Sequence, residues 1–583
     1  MNEGVMATHC ILVTVKFFRL ISWTLLIPLL FEKVTAQSSI CQQLDPSPNL
    51  QMFVDALPIP EAIDISTGDK LTLGIYKISQ KLHRDLPSTT LYGYGTSQAK
   101  ASYPGPTLKA TRGIVSHVRW ENHISDSSHF LPVDTTIHWA NPKSGGVPIV
   151  SHLHGAEVES ASDGHPDTWF TAQGETGSKY VTQDYVYANS QPPTMLWYHD
   201  HTVGITRLNV YAGLVGIYFI NSPSEKGYNL PISDFEIPLL IQDKQFYANG
   251  SLNFPNVGDS PLIHPVWCPE FFGDTILVNG KAWPYLNVQR QLYRFRILNA
   301  ANARFFILSF NNSKLSFKQI GTDGGYLYKP IVLSTLTVAP AFRVDVLVDF
   351  SSLAPGTDVL LMNSGPAPFP SGDPAQSPNG TDIVMKFHVV TADSYATGAS
   401  SSVPSTFQPD AAIDIKDVAV RRNLTLKEFD DSSGNPIISL LGNHHWIDPV
   451  TETPRLGTTE IWSIINLTPD AHPIHVHLIQ FHVLNQQSFD ATGYLNDSCS
   501  LSLEYPNPGS CFTENPRQPN VDQIGWKDTA ITWPSNVTRF VIRFSSQDGS
   551  SFPFDATAGP GYVWHCHILD HEDNDMMRPY VLL

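Results

Sequence analysis

Ten of the chain's 22 histidines stand in four short clusters. His152-Leu153-His154-Gly155 and His199-Asp200-His201 lie in the N-terminal half. His472-Pro473-Ile474-His475-Val476-His477 and His565-Cys566-His567 lie near the C-terminus, the latter followed by His571 and Met576. A His-x-His pair on a strand puts both imidazoles on one face, about 7 Å apart along the backbone. Such a pair can share one ion or serve two neighbouring ions. A single pair is weak evidence, because the pattern also arises incidentally. Four clusters in two separated regions point to a metal centre rather than to packed core histidines.

The donor types choose the metal. Imidazoles with one thiolate and one thioether suit copper, and two His, one Cys and a distant axial Met form the blue-copper arrangement. Cys566, His571 and Met576 supply three of those groups, and His472 is the candidate for the fourth. Zinc prefers closed four-ligand sites and has no use for linked clusters. Eight imidazoles remain: His152, His154, His199, His201, His475, His477, His565 and His567. Eight ligands from two regions suit a group of three copper ions at the place where those regions meet. Cys566 is flanked by His565 and His567, so an electron at the blue copper has a covalent route to that group. Four electrons collected there reduce O2 to water.

Strands and turns must position these residues. The chain has 583 residues, of which 42% are hydrophobic and only 15% charged, so disorder and coiled coil are excluded. Its 45 Pro and 38 Gly are scattered throughout, as short strands joined by turns require. No stretch keeps a helical period, whereas Arg343-Val-Asp-Val-Leu-Val-Asp alternates as a strand does. Three segments resemble one another and close on Asn122, Asn299 and Asn466, at spacings of 177 and 167 residues. That period marks repeated domains, since solenoid units run about 20–50 residues. An all-β chain of three Greek-key β-sandwich domains follows, over 37–225, 226–395 and 396–583. The Ser-, Ala- and Pro-rich segment 391–410 reads as the linker into the third. The middle domain has no histidine pair.

Lys16 and Arg19 precede an apolar run from Leu20 to Phe31, and small residues surround Ala36. This reads as a signal peptide over residues 1–36, and the run is too short for a transmembrane span. Seven Asn-x-Ser/Thr sequons, at Asn249, Asn311, Asn379, Asn423, Asn466, Asn496 and Asn536, agree with a secretory route. The expected destination is the endoplasmic reticulum or, outside the cell, the apoplast and wall. Cys499 and Cys511 are close enough for a disulfide, while Cys41 and Cys268 show no obvious partner. The net charge of −18 excludes nucleic acid as a partner and favours a cationic substrate.

Together, HLHG, YHDH, HPxHxH and HCHxxxHxxxxM resemble the multicopper oxidases along essentially the whole mature chain. WHCHILDHEDNDMMRP and TRLNVYAGLVG look like the branch of bacterial spore-coat laccases and bilirubin oxidases. PEFFGDTILVNGKAWP, YRFRILNAANARFF and FPSGDP look like the plant Low Phosphate Root multicopper oxidases. The resemblance implies three cupredoxin-like domains and four copper ions. It implies a type 1 copper on His472, Cys566 and His571 with Met576 axial, and a type 2 copper on His152 and His475. It implies a type 3 pair on His154, His199, His201, His477, His565 and His567. Asp163 and Glu572 match acids that deliver protons during O2 reduction, or that orient the imidazoles. Glu270, Asp373 and Asp470 match acids of an iron site. Asp470 also stands two residues before His472, which would hold Fe2+ close to an electron acceptor.

The expected activity is therefore oxidation of Fe2+ by O2 in a monomeric secreted enzyme, linked by the resemblance to root responses to phosphate. Oxidation of phenols or bilirubin-like pigments is the alternative. A copper-free wall protein would lack several ligands, and here every one is present.

Overall fold

The computed structural model describes residue 41 and residues 43–376, 380–391, 398, 400, 402–501 and 509–583. The apolar run Leu20–Phe31, the sequon at Asn379 and part of the segment 391–410 lie outside these residues. The described chain is almost entirely β, with only three short α-helices, at Thr206–Tyr211, Ala491–Leu495 and Leu569–Asp573. No helix among the described residues is long and apolar enough to cross a membrane.

Six sheets form three successive pairs along the chain. The first pair uses strands between Ala62 and Asn221, with five and four strands. The second uses strands between Glu236 and Val390, with seven and five. The third uses strands between Val418 and Tyr580, with five and four. One apolar core, from Leu73 through Phe295 to Trp462, runs through all three. Exposed strands keep the period of two: Asp358–Asn363 alternates between covered and partly open positions. Leu292–Asn299 is buried along its whole length, as a strand covered on both faces must be.

The repeat has a physical basis. Asn122, Asn299 and Asn466 each end a strand, Ser116–Asn122, Leu292–Asn299 and Thr459–Asn466, that runs parallel to a neighbour. Each Asn Oδ1 accepts the N–H of the residue two places on: Ile124, Ala301 and Thr468. Each Nδ2 donates to two backbone carbonyls. For Asn299 these belong to Arg304 and Val338, at 2.8 and 2.9 Å. For Asn466 they belong to Asp470 and Thr532, at 2.8 and 3.0 Å. An amide is the side chain that meets both needs, one acceptor and two donors.

One expectation requires correction. Cys41 and Cys268 do have a partner, since they form a disulfide with each other across 227 residues, and Cys499 bonds Cys511. The first bond is hidden in the sequence because folding alone brings the N-terminal segment onto the loop at 257–268. There the Cys41 N–H also donates to Asp259. Asn466 and Asn536 are buried, so neither sequon can carry a glycan on the folded chain. Asn249, Asn311, Asn423 and Asn496 are exposed.

Replacing Asn299 with Ala leaves two buried carbonyls without donors. It should lower unfolding free energy by about 1–3 kcal/mol, read in a denaturant titration, whereas Asn311→Ala on the exposed loop should change it little.

Candidate metal centre

The period of two sorts the ligands between two faces. In the strand His472–Val476, His472 and His475 stand three residues apart and point to opposite faces. In the strand Tyr562–Cys566, Cys566 points away from His565. The two strands pair antiparallel, Ile474 opposite Cys566 and His475 opposite His565. One face therefore gathers His472 and Cys566. The other gathers His475 and His565, extended by His477 and His567.

On the first face, the helix Leu569–Asp573 returns His571 to the thiol. Cys566 Sγ lies 3.5 Å from His472 Nδ1 and 3.9 Å from His571 Nδ1. The two Nδ1 atoms lie 3.3 Å apart. Met576 is fully buried, its N–H donating to the His571 carbonyl and its own carbonyl accepting the Cys566 N–H. Cys566 is the one free cysteine among the described residues, and the Ile568 N–H points at its sulfur.

On the second face, the third sheet pair meets the first. The strand Ser151–His154 pairs with Thr194–Asp200, placing His152 opposite His199. His201 Nε2 lies 3.2 Å from both His477 Nε2 and His565 Nε2, which are 3.3 Å apart. The far sides of these rings meet carboxylates. His477 Nδ1 donates to Asp163 Oδ2 at 2.7 Å. Glu572 reaches His201 Nδ1 at 3.2 Å and His565 Nδ1 at 3.1 Å. His477 and His565 donate through Nδ1, to Asp163 and to the Cys566 carbonyl at 2.9 Å, so their Nε2 lone pairs turn toward His201 Nε2, and such lone pairs repel unless a cation lies between them.

The remaining nitrogens give the same indication. His152 Nε2, His154 Nδ1, His199 Nε2, His475 Nε2 and both nitrogens of His567 are buried and make no hydrogen bond. Orphaned buried polar atoms are rare in folded proteins, so a cluster of them marks a ligand. Burial holds His152, His154, His201, His472, His475, His477 and His567 well below the ordinary imidazole range. It pushes His199 and His571 down to about 3. The rings are thus neutral, the form that binds metal. Burial raises the Cys566 thiol, and a bound cation would reverse that. The donor set fits copper. Among the described residues, no group of possible metal ligands draws on 226–395.

The predicted acids fall into two sets. Asp163 and Glu572 touch imidazoles directly, as above, and the Asp163 carbonyl also accepts from His152 Nδ1 at 2.5 Å. Glu270 and Asp470 converge beside the Cys566 site. Burial, then the neighbouring charges of Asp470, Glu428 and Asp570, drives the Glu270 carboxyl well above its usual range. Burial pushes Asp470 up to about 6. Asp373 sits exposed on a turn closed by backbone bonds to Ala367. The same turn abuts Asp470, since the Ala471 N–H donates to the Phe369 carbonyl.

Sequence reasoning missed Glu428. Its Oε1 lies 3.7 Å from His571 Nε2 and 3.9 Å from His472 Nε2, and it makes no hydrogen bond. Burial, then Asp470, pushes it up to about 8. A signal existed: Leu424 and Leu426 face the core, and the period of two points Glu428 the same way. Asp528 was missed as well. It lies 3.1 Å from His154 Nε2 and stands in no histidine cluster.

Comparison with known proteins agrees with this geometry. The family model described as "Multicopper oxidase" matches residues 420–582. Multicopper oxidase LPR1 of Arabidopsis thaliana is 43% identical over 552 residues, covering 91% of this chain and 92% of that protein. A laccase of Bacillus subtilis is 40% identical over 540 residues, covering 91% and 98%. Among solved structures, the McoA multicopper oxidase of Aquifex aeolicus shares the fold with a TM-score of 0.69 at 24% identity, covering 92% and 99%. On this similarity, which spans all three cupredoxin-like sheet pairs, the chain belongs to the multicopper oxidase family and is an oxidoreductase that uses O2.

Proposed function

We propose that this chain is a secreted ferroxidase, oxidising four Fe2+ to Fe3+ for each O2 reduced to two waters, with four protons consumed. The observation that carries this reading is the buried grouping of Glu270, Asp470 and Glu428, of which Glu428 stands against the outer edges of His472 and His571. Carboxylates bind iron ions, and their attraction grows as the ion gains charge. A phenol would need an open apolar pocket at the same place. Instead, His472 and His571 are buried: His571 Nε2 faces the Glu428 carboxylate at 3.7 Å, and His472 Nε2 is paired with the Thr468 hydroxyl at 2.6 Å. The laccases among the relatives keep phenol oxidation as the second reading.

His472, Cys566 and His571, with Met576, would hold a type 1 copper. His152 and His475 would hold a type 2 copper, and His154, His199, His201, His477, His565 and His567 a type 3 pair. Bound copper would supply one-electron steps, the three ions of the second site and the one of the first together providing the four electrons that reduce O2 to water. Glu270, Asp373 and Asp470 receive the cation and set it beside His472. Cys566 connects through its own backbone to His565 and His567, giving the electron a covalent path. Asp163 accepts from His477 Nδ1, and Glu572 lies beside His201 and His565, next to where O2 would be consumed. The chain acts as a monomer, and the N-terminal run directs it into the secretory pathway. By its resemblance to the Low Phosphate Root proteins, the iron chemistry serves root responses to phosphate.

Replacing Glu270, Asp373 and Asp470 together with Ala should raise the KM for Fe2+ about 10- to 100-fold, as loss of charged contacts worth ~1.5–3 kcal/mol implies. Phenol turnover on the same preparation should change little. Unchanged Fe2+ kinetics would remove the iron site. Cys566→Ser should abolish the blue absorption of Cu2+-loaded protein and stop oxidation of both substrates, while copper elsewhere is retained; a C566S protein that stays blue would refute the type 1 assignment.

A further inference from the structure

His154 and His475 present different atoms to the same space. The unpaired, buried nitrogen is Nδ1 on His154 but Nε2 on His475. Their rings stack at 3.7 Å between centroids, 14° from parallel. Neighbouring imidazoles can bind metal through opposite nitrogens only if something fixes each tautomer.

That something is one residue. Asp528 Oδ1 lies 3.1 Å from His154 Nε2, and the Asp528 carbonyl accepts from His475 Nδ1 at 2.8 Å. The Thr529 hydroxyl donates to Asp528 Oδ1 at 2.9 Å and accepts from His154 Nε2 at 3.1 Å. Protons are thereby held on the atoms facing Asp528, and the opposite nitrogens are left bare.

Asp528 is itself clamped from the region that holds no copper ligand. Arg343, at the start of the strand Arg343–Asp349, donates through Nη1 to Oδ1 at 2.8 Å and through Nη2 to Oδ2. This two-pronged contact fixes the plane of the carboxylate as well as its position. Arg343 is held in turn by the carbonyls of Met195 and Ala341, both at 3.0 Å. Its backbone N–H donates to Asp323, which pairs with Lys527 at 2.8 Å. Arg343, Asp323, Lys527 and Asp528 are all buried, two charges of each sign.

The glycine of the first histidine motif fits the same arrangement. A Cβ at Gly155 would lie 2.5 Å from Asp528 Oδ2 and 2.6 Å from Arg343 Nη2, and its φ is +87°. The residue after His154 must therefore leave room for the clamp.

We propose that Asp528, clamped by Arg343, is the positioning residue that selects the metal-facing nitrogens of His154 and His475. The middle region, though without copper ligands, thus governs assembly of the three-copper group. This rests on His154 and His475 being metal ligands, and not on the choice of Fe2+ as substrate.

The test is copper content and spectroscopy of the full chain loaded with Cu2+. Wild type should hold four copper ions, and a wild type that binds only one would overturn the cluster beneath this proposal. Asp528→Asn should weaken copper retention in the three-ion group about 10- to 100-fold, read as copper per chain after dialysis against graded chelator. The type 2 electron paramagnetic resonance signal should shift, while the blue absorption of the Cys566 site stays intact. Arg343→Met should reproduce this, and Arg343→Lys, which keeps the charge but loses the fork, should fall between. The double variant D528N/R343M should be no worse than D528N. Full copper and an unchanged type 2 signal in both D528N and R343M would overturn the proposal. So would equal loss of blue and cluster copper, which would mark a general loss of fold.

Discussion

Buried imidazole nitrogens that meet one another without protons between them set the terms for this molecule. His201, His477 and His565 bring three such atoms within 3.3 Å. Six more, on His152, His154, His199, His475 and His567, are sealed from solvent without a partner. Burial keeps most of these rings from charging, so the arrangement is tolerable only around cations.

Bringing them together is the work of sheet register. A slip of one residue between the strands His472–Val476 and Tyr562–Cys566 would send His565 to the thiol's face and Cys566 to the cluster's face. Antiparallel pairing of Ile474 with Cys566 avoids this and places the two sites on opposite faces of one sheet. The short covalent link between the sites is a consequence of that geometry. Orientation is the work of carboxylates: Asp163, Glu572 and Asp528 each meet the far side of a ring. Their carboxylates are buried too, Asp163 meeting the proton of His477 Nδ1 and Asp528 the cation Arg343.

The acidic face beside the Cys566 site follows a different logic. Burial, then Asp470 and Glu428, raises the proton affinity of Glu270, and Asp470 raises that of Glu428. Without a cation, such a group is costly to ionise. Its position against His472 and His571 is what distinguishes this face from a pocket for an apolar substrate. The negative balance of the chain, which at first only excludes nucleic acid, has one concentrated focus here.

How much was legible in the sequence depended on the range of the contact. Histidine spacing carries its own chemistry, because neighbours two apart on a strand share a face wherever the strand lies. The Asn122, Asn299 and Asn466 repeat was legible for the same reason: each amide closes its own strand end. Together these pointed to the β class, the threefold repeat, the histidines and cysteine that the fold gathers, and their division into a Cys566 site and a cluster. The tertiary structure alone decided which residues from distant segments meet. Cys41 finds Cys268, Arg343 reaches Asp528 across 185 positions, and Glu428 meets both outer imidazole edges. It also closed the sequons at Asn466 and Asn536 by burying them. The physical reason is common to all of these. A carboxylate, a thiol or an amide has no meaning until its partner is within hydrogen-bond reach, and only packing of the three sheet pairs brings the partners there.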